Sequence, residues 1–554
     1  MIEGFWSGLW AAIAVLVLTS LFELLLKPRP RPLWQRAPAA VAVDLATAVL
    51  HFVFWLLIVQ RPWFALVIAT SLQMVVIQVN NTKSTSLREP FLCQDFEYFI
   101  GAIRHPRLYI PFFGIGLTIA ASLAGAIAIG IGFWLEPSLF GHADAPWSLA
   151  ATLALIAAAV AVLSWQLPRL PACTLEPNDD LVRLGLYPYL WAYGRLTGQP
   201  IDRQDNASAF AAPWDLESDP VDPATLPNVV LVQSESFFDP RDWHPGIRRE
   251  LLSEYDALMD EALHAGRFDV PAWGANTVRT ECAVLTGLTP SRLGVHRFNP
   301  YHQLSKLPVN NLAGALKRLG YRTVCIHPYP ASFYLRDRVY PKLGFDTFID
   351  IADFDLSERD GQYTGDLALA ERVQKQLATA DEKPLFIFVI SMENHGPLHL
   401  ETADPAIAER WVEGGVHGGC EELTVYLRHL RNTDSMLGRL RASLQQQSLQ
   451  QHSKPQKNSK LQDSSGFKDT SELKDSSELQ KGSRHGILGF YGDHVPIMPK
   501  VYAQHGEPDG LTNYFIWQTA PYSGDNVRMM LPANKLGTTI YDRIIDHAGK
   551  PGAN

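Results

Sequence analysis

Cysteine is scarce. The chain has five in 554 residues (Cys93, Cys173, Cys282, Cys325 and Cys420), an odd number and never in a C-x-x-C pair, so neither a disulfide framework nor a structural zinc site is expected to hold this fold together. Basic residues are outnumbered, 48 Lys and Arg against 57 Asp and Glu, for a formal net charge of -9. No basic stripe is present to displace counterions from phosphates, which excludes a nucleic-acid binder. A polar bias is missing too: 47% hydrophobic and 10% aromatic residues are ample for a large core and exclude a wholly disordered chain. The length exceeds one ordinary domain, and the mean hydropathy of -0.03 averages two unlike halves.

The first 165 residues carry apolar runs of the length a helix needs to cross a hydrocarbon core, about 20 residues for about 30 Å. Five are expected as spans: Phe5 to Leu26, Ala39 to Val59, Trp63 to Val79, Ile110 to Leu135 and Trp147 to Trp165. A single such run reads equally well as a buried core helix, but five in succession with Trp and Tyr near several ends read as a membrane domain over residues 1–166. The first run is long, has no basic residue before it and is followed by further spans, so it is expected to stay attached rather than be cleaved as a signal peptide. Lys27, Arg29, Arg31 and Arg36 follow the first run, and Lys83, Arg88, Arg104 and Arg107 lie between the third and fourth, whereas Gly141 to Pro146 has no Lys or Arg. By the positive-inside rule these basic loops are cytoplasmic, and five spans then put the C-terminal half in the cytoplasm as well.

After a connector over residues 167–227, rich in Pro and Asp, the pattern changes. Short β-rich runs alternate with helical stretches such as Leu312 to Leu319 and Leu423 to Leu444. The runs are Asn228 to Gln233, Arg322 to Ile326, Pro384 to Ile390 and Ile487 to Tyr491. Each is nearly continuous in apolar residues, as expected of strands covered on both faces, so residues 228–554 read as an α/β domain with a mainly parallel sheet. Ligands of such sheets bind beyond the carboxyl ends of strands. The four runs lead into Ser234-Glu235-Ser236, His327, Ser391-Met392-Glu393-Asn394-His395-Gly396 and Gly492-Asp493-His494. One His or Asp after a strand is commonly a turn or capping residue; four together at one sheet edge point to a site. Glu235, Asp493 and His494 offer oxygen and imidazole ligands without thiolate, a set suited to Mn²⁺, Mg²⁺ or Zn²⁺. The segment Gly274 to Gly287 reads as a Gly/Asn turn entering a short helix, whose first hydroxyls face unpaired backbone N-H groups. Thr277 and Thr280 are plain capping candidates there, and beside a divalent cation either is also a candidate nucleophile.

With these residues assembled, the chain resembles the lipoteichoic acid synthase family of the alkaline phosphatase and sulfatase superfamily over most of its length. Glu235 in QSESF resembles that family's metal-binding glutamate, Thr277 in ANTVRTE its threonine nucleophile, and Asp493-His494 in YGDHVP its metal-binding pair. His327, Tyr334 and Arg336 are spaced like the family's groups for the phosphoglycerol head, and His395 in MENHGP resembles its other active-site histidine. The resemblance implies one divalent metal ion, Mn²⁺ first, held by Glu235, Thr277, Asp493 and His494. It implies a phosphoglycerol transferase that takes its donor group from phosphatidylglycerol and passes it to an acceptor hydroxyl on a glycan, a glycolipid or a glycerol phosphate chain. It further implies a multi-pass protein of the bacterial cytoplasmic membrane with an extracytoplasmic catalytic domain, which disagrees with the count of positive loops over five spans. His395 or His327 is then the acid for the departing alkoxide. Residues 444–484, rich in Gln, Ser and Lys with the near repeat KDTSELKDSSEL, depart from the family pattern and are expected to be a solvated insertion.

Other functions weigh against this one. A sulfatase of the superfamily has a Cys or Ser followed two residues later by Pro and shortly by Arg; here Cys282 is followed by Ala283, Val284, Leu285 and Thr286. Transfer of phosphoethanolamine uses the same kind of threonine and metal and is the nearer alternative. A membrane protein that binds a lipid headgroup without turnover has no need of a nucleophile beside a cation.

Overall fold

The computed structural model describes residues 3–97, 115–139, 145–203, 209–211, 221–379, 383–450, 484–522 and 524–548. The chain divides into two compact units: Met1–Pro200 with Gly294–Phe298, and Ile201–Leu293 with Asn299–Asn554.

The first unit is helical. Its apolar helices are α1 (Glu3–Phe22), α2 (Pro38–Val59), α3 (Pro62–Leu87), α4 (Ile115–Leu135) and α5 (Ala145–Gln166). Proline opens α2 and α3 at positions where its missing N-H costs nothing. α2 packs on α3 and α5, and α1 on α3. Small side chains let these helices approach, with Ala11, Ala40, Ala48 and Ala65 almost fully buried. The outer surfaces are apolar as well. Trp10, Phe54, Ile58, Leu123 and Ile127 are exposed, the reverse of a soluble bundle, and exposed Trp63, Trp134, Trp147 and Trp165 sit at helix ends as anchors at a lipid-water boundary do. Trp6–Leu25, Pro38–Val59, Pro62–Leu87 and Ala145–Arg169 are long and apolar enough to cross a membrane. Of the expected span Ile110 to Leu135, residues 110–114 lie outside the described ones, and the remainder forms the 21-residue apolar helix α4, Ile115–Leu135. The expected connector is not featureless either, since Pro177–Leu184 and Leu186–Leu196 are amphipathic helices that bury Leu181, Leu184, Leu186, Tyr189 and Tyr193.

The second unit is built on a nine-stranded sheet. Its strands are β1 (Asn228–Ser234), β2 (His264–Asp269), β3 (Arg322–Ile326), β4 (Thr347–Ile349), β5 (Leu385–Ile390), β6 (Gly486–Gly492), β7 (Thr512–Gln518), β8 (Val527–Arg528) and β9 (Leu531–Pro532). They are ordered β8-β2-β7-β6-β1-β5-β3-β4, with β9 also on β2. Pairing is parallel from β6 through β1, β5 and β3 to β4, and β7 runs antiparallel to β6 and β2. The all-apolar strands follow from double coverage. Val229, Leu231, Phe386 and Phe388 join one core, while Val230, Val232, Leu385 and Ile387 join the other. The helix Thr277–Thr286 packs on Ala533–His547, both in the first core, and Glu421–Gln450 packs on Ser253–Glu261 and Asp366–Ala378 in the second.

That last helix corrects the start of the expected insertion. Instead of a loop from Leu444, the helix continues to Gln450. Leu444 is buried, and Gln447 accepts a hydrogen bond from Asn228 Nδ2 (3.0 Å) and donates to the Leu377 carbonyl (2.5 Å), so polar side chains with fixed partners prolong the element where apolar burial ends. Residues 451–483 lie outside the described ones.

Candidate active site

Register brings the strand ends level. Ser234 of β1 pairs with Gly492 of β6, so the next residues, Glu235 and Asp493, leave the sheet side by side. Gly492 is required by this approach, because a Cβ there would lie 1.8 Å from the Phe237 carbonyl oxygen. Gln233 pairs with Ile390 of β5, and the following Ser391 accepts the Glu235 N-H through Oγ at 2.9 Å. Ser236 sits at a φ of 53°, a left-handed conformation that an L side chain adopts only when its surroundings hold it. They do: its N-H donates to Asp493 Oδ1 at 2.8 Å and its hydroxyl to Glu235 Oε1 at 2.8 Å.

Glu235, Asp493 and His494 converge, all buried, with a ligand atom of each within 4.8 Å of the others. His494 Nδ1 lies 3.1 Å from the Val495 carbonyl and therefore carries the proton, which leaves Nε2 as a bare lone pair. That Nε2 stands 3.5 Å from Glu235 Oε1 and 3.4 Å from Asp493 Oδ2. Neither Nε2 nor Oδ2 has a hydrogen-bond partner among the described residues. Two buried acceptors without a donor, facing each other and Glu235 Oε1, are unfavourable as they stand. Their 3.4 to 3.5 Å separations are those of ligands sharing one ion with bonds of about 2.0 to 2.2 Å, so the donor set fits a divalent cation. The protonation balance agrees: burial and then the Glu235 charge push the Asp493 carboxyl well above its ordinary range, while burial pushes the His494 imidazole down.

Thr277 opens its helix after Asn276, which holds a φ of 67°; asparagine tolerates this left-handed position better than most residues. The turn thereby aims the Thr277 hydroxyl at Glu235 Oε2, 3.4 Å away. Thr280, one turn on, is fully buried and donates to the Asp493 carbonyl at 2.8 Å. The two threonines left open by sequence thus differ in their surroundings: one faces the carboxylates, the other ties the helix to the strand end.

His327 follows β3 and is buried. Its Nδ1 donates to the Ile390 carbonyl (3.1 Å), and its Nε2 accepts from Arg336 Nη1 (3.2 Å). Burial and the Arg336 charge hold the imidazole well below its ordinary range, so it is neutral with its one proton committed to Ile390. Arg336, 1% exposed, donates from Nε and Nη2 to both oxygens of Glu281 at 3.1 and 2.8 Å. Tyr301 and Tyr340 donate to the same carboxylate. Tyr334 and Leu335 hold left-handed φ values of 56° and 61°, and the Tyr334 ring lies 5.4 Å from the Arg336 guanidinium carbon. His395 is half-buried, with Nδ1 2.7 Å from its neighbour's carbonyl, that of Gly396, and its ring against Tyr363.

Sequence reasoning missed Glu281, Tyr301, Tyr340 and Ser391. Glu281 was detectable as an acidic residue four positions after Thr277, hence on the same face of the helix. The Ser391 contact gives a direct expectation: Ser391→Ala leaves the Glu235 N-H without its acceptor and loosens the carboxylate, so divalent metal affinity measured by calorimetric titration falls about tenfold, as for other supports of metal ligands.

Residues 227–452 match the family model described as Sulfatase. The capsular polysaccharide biosynthesis protein RkpI of Rhizobium meliloti (strain 1021) is 32% identical over 321 residues, 57% of this chain and 50% of that protein; the chain spans about half the length of this relative. Among solved structures, the chain is similar to the Streptococcus pyogenes phosphoglycerol transferase GacH, with a TM-score of 0.43 and 20% identity over 62% of this chain and 82% of that one. It is also similar to the lipoteichoic acid synthase LtaP of Listeria monocytogenes, with a TM-score of 0.43 and 18% identity over 64% and 79%.

Proposed function

We propose that the chain is a membrane-bound, metal-dependent phosphoglycerol transferase that moves the headgroup of phosphatidylglycerol to an acceptor hydroxyl through a phospho-threonine intermediate. The observation that carries this reading is the hydroxyl of Thr277 beside three buried, mutually facing acceptor atoms of Glu235, Asp493 and His494. A divalent cation there, Mn²⁺ by the family resemblance, would supply positive charge that favours the alkoxide and offsets charge building on phosphorus. Thr277 enters as the alkoxide, its proton released to solvent, and Oγ1 forms its bond to phosphorus as the bond to the diacylglycerol oxygen breaks; it leaves as the same alkoxide in the second half. The proton for that oxygen comes from the imidazolium form of the half-buried His395 rather than from His327, which burial and the Arg336 charge keep neutral. In the second half the acceptor hydroxyl gives its proton to His395 and displaces Thr277. Arg336 uses three of its five N-H groups on Glu281 and His327, which leaves two for a phosphate oxygen, with Tyr334 beside the glycerol.

The family resemblance puts the catalytic domain outside a bacterial cytoplasmic membrane; with the basic loops after the first and third spans cytoplasmic, this orientation follows when α4 does not cross. The name of the relative RkpI supports a glycan as acceptor. Diacylglycerol release from defined lipids in detergent tests the reading. Release from phosphatidylglycerol is expected to exceed that from phosphatidylethanolamine about tenfold or more, a difference of roughly 1.4 kcal/mol or above in barrier. A strict preference for the ethanolamine lipid replaces it with phosphoethanolamine transfer.

A further inference from the structure

Apart from the metal-type cluster, the sheet edge carries a cavity of about 240 Å³ lined by Trp243, His244, Glu413, Gly415, His417 and His505 among others. Its parts come from the same strand ends as the catalytic groups. Trp243 and His244 lie in the segment after Glu235, and His505 ends the helix Pro499–His505 that follows Asp493 and His494. His417 sits in the glycine-rich turn before the helix Glu421–Gln450, where Gly414, Gly415 and Gly419 hold φ values of 79°, 76° and 90°. Rings connect this cavity to the nucleophile turn: Trp273, four residues before Thr277, packs on Tyr502 (6.4 Å), and Tyr502 on Trp243 (5.6 Å).

We propose that this cavity is a subsite for a neutral sugar ring of the acceptor, which makes the acceptor a glycan rather than a glycerol phosphate chain; this rests on the transferase reading above. Three features choose the occupant. The lining has no Lys or Arg, and its one charged side chain is the exposed Glu413, an environment that rejects a polyanion. It presents flat rings, with Trp243 5.9 Å from His244 and 6.3 Å from His505, His244 4.5 Å from His505, and His417 parallel to His505 at 6.3 Å. Such faces suit the C-H faces of a pyranose, and a few placed polar atoms suit its hydroxyls. One of those atoms is waiting: the buried Nδ1 of His244 has no hydrogen-bond partner among the described residues. Burial, then His505 and His417, keep the His244 imidazole below its ordinary range and therefore neutral near pH 7.

The test uses the full chain in detergent with phosphatidylglycerol as donor and a neutral glucan oligosaccharide as acceptor. Trp243→Ala is expected to raise the KM for the glucan about tenfold and to change kcat by less than about twofold, the pattern of lost ground-state binding. An unchanged KM, or a fall in kcat at constant KM, overturns the assignment. Should Trp243→Ala fail to fold, His417→Ala, on an exposed turn, reads the same quantity with a rise of about threefold. Calorimetric titration of the glucan, without donor lipid, adds a readout independent of turnover: saturable binding that His417→Ala weakens supports the subsite, and absence of saturable binding overturns it. The two readings also fail separately. Glucan binding without release of diacylglycerol from phosphatidylglycerol sinks the transferase reading and leaves the subsite, whereas turnover of the lipid with no response to glucan sinks the subsite alone.

Discussion

Thr277→Ala is expected to lower turnover of phosphatidylglycerol by roughly four orders of magnitude, the scale seen when an enzyme loses its nucleophile, and to leave the fold intact. The hydroxyl lies 3.4 Å from Glu235 Oε2 and also interacts with Asp493, whose carboxylate keeps the Ser236 and His494 N-H donors when the hydroxyl is removed. Thr280→Ala is the control. Its hydroxyl is fully buried and bonded to the Asp493 carbonyl at 2.8 Å, and losing it costs stability of about 1 to 3 kcal/mol through an unsatisfied acceptor, with a much smaller loss of rate. Two measurements check the pair: diacylglycerol release from the lipid, and mass spectrometry of the peptide containing both threonines after incubation with donor and no acceptor. The phosphoglycerol adduct is expected on Thr277, to be absent from Thr277→Ala and to persist in Thr280→Ala. An adduct on Thr280, or equal rates for the parent and Thr277→Ala, ends the case for Thr277.

The contrast between these threonines marks what the sequence made legible. Four strands with apolar residues on both faces, Asn228–Ser234, Arg322–Ile326, Leu385–Ile390 and Gly486–Gly492, were readable because a strand buried on two sides has no polar alternation to obscure it. Their ends delivered Glu235, His327, His395, Asp493 and His494 without any knowledge of register. The antiparallel flank was not readable. His264–Asp269 is fully buried only at Ala265 and Phe268 and is interrupted by Gly266, so it carries no continuous run. Thr512–Gln518 is wholly buried but begins and ends in polar residues. Contacts between residues far apart in sequence were also hidden. Nothing in ANTVRTE says that Glu281 closes on Arg336, 55 residues away, or that Ser391 holds Glu235, because such pairs are set by which strands become neighbours.

Removing divalent metal by chelation is expected to abolish turnover, by about a thousandfold or more, since the cation accounts for several kcal/mol of charge stabilisation in the transition state. Mn²⁺ is expected to restore it first, with Mg²⁺ and Zn²⁺ compared alongside. Stability supplies a second readout that does not depend on chemistry. In the metal-free protein the folded Asp493 carboxyl has a pKa raised well above 3.8. Between the unfolded and folded values the native state therefore holds more protons than the unfolded state, and stability falls as pH rises through that window. Below the ordinary carboxylate range the group is protonated in both states and the penalty is absent. A cation reverses the burden by binding the ionised form, and His494, whose imidazole burial keeps neutral, retains its lone pair for the ion in mild acid. The rise in melting temperature on adding saturating metal should thus be larger near neutral pH than in mild acid, with about 2.7 kcal/mol gained at a free metal concentration of 100 times Kd. Asp493→Asn is expected to lose both the metal-induced rise and turnover. A metal response equally large at both pH values, or undiminished in Asp493→Asn, would falsify the assignment of this carboxylate as a ligand.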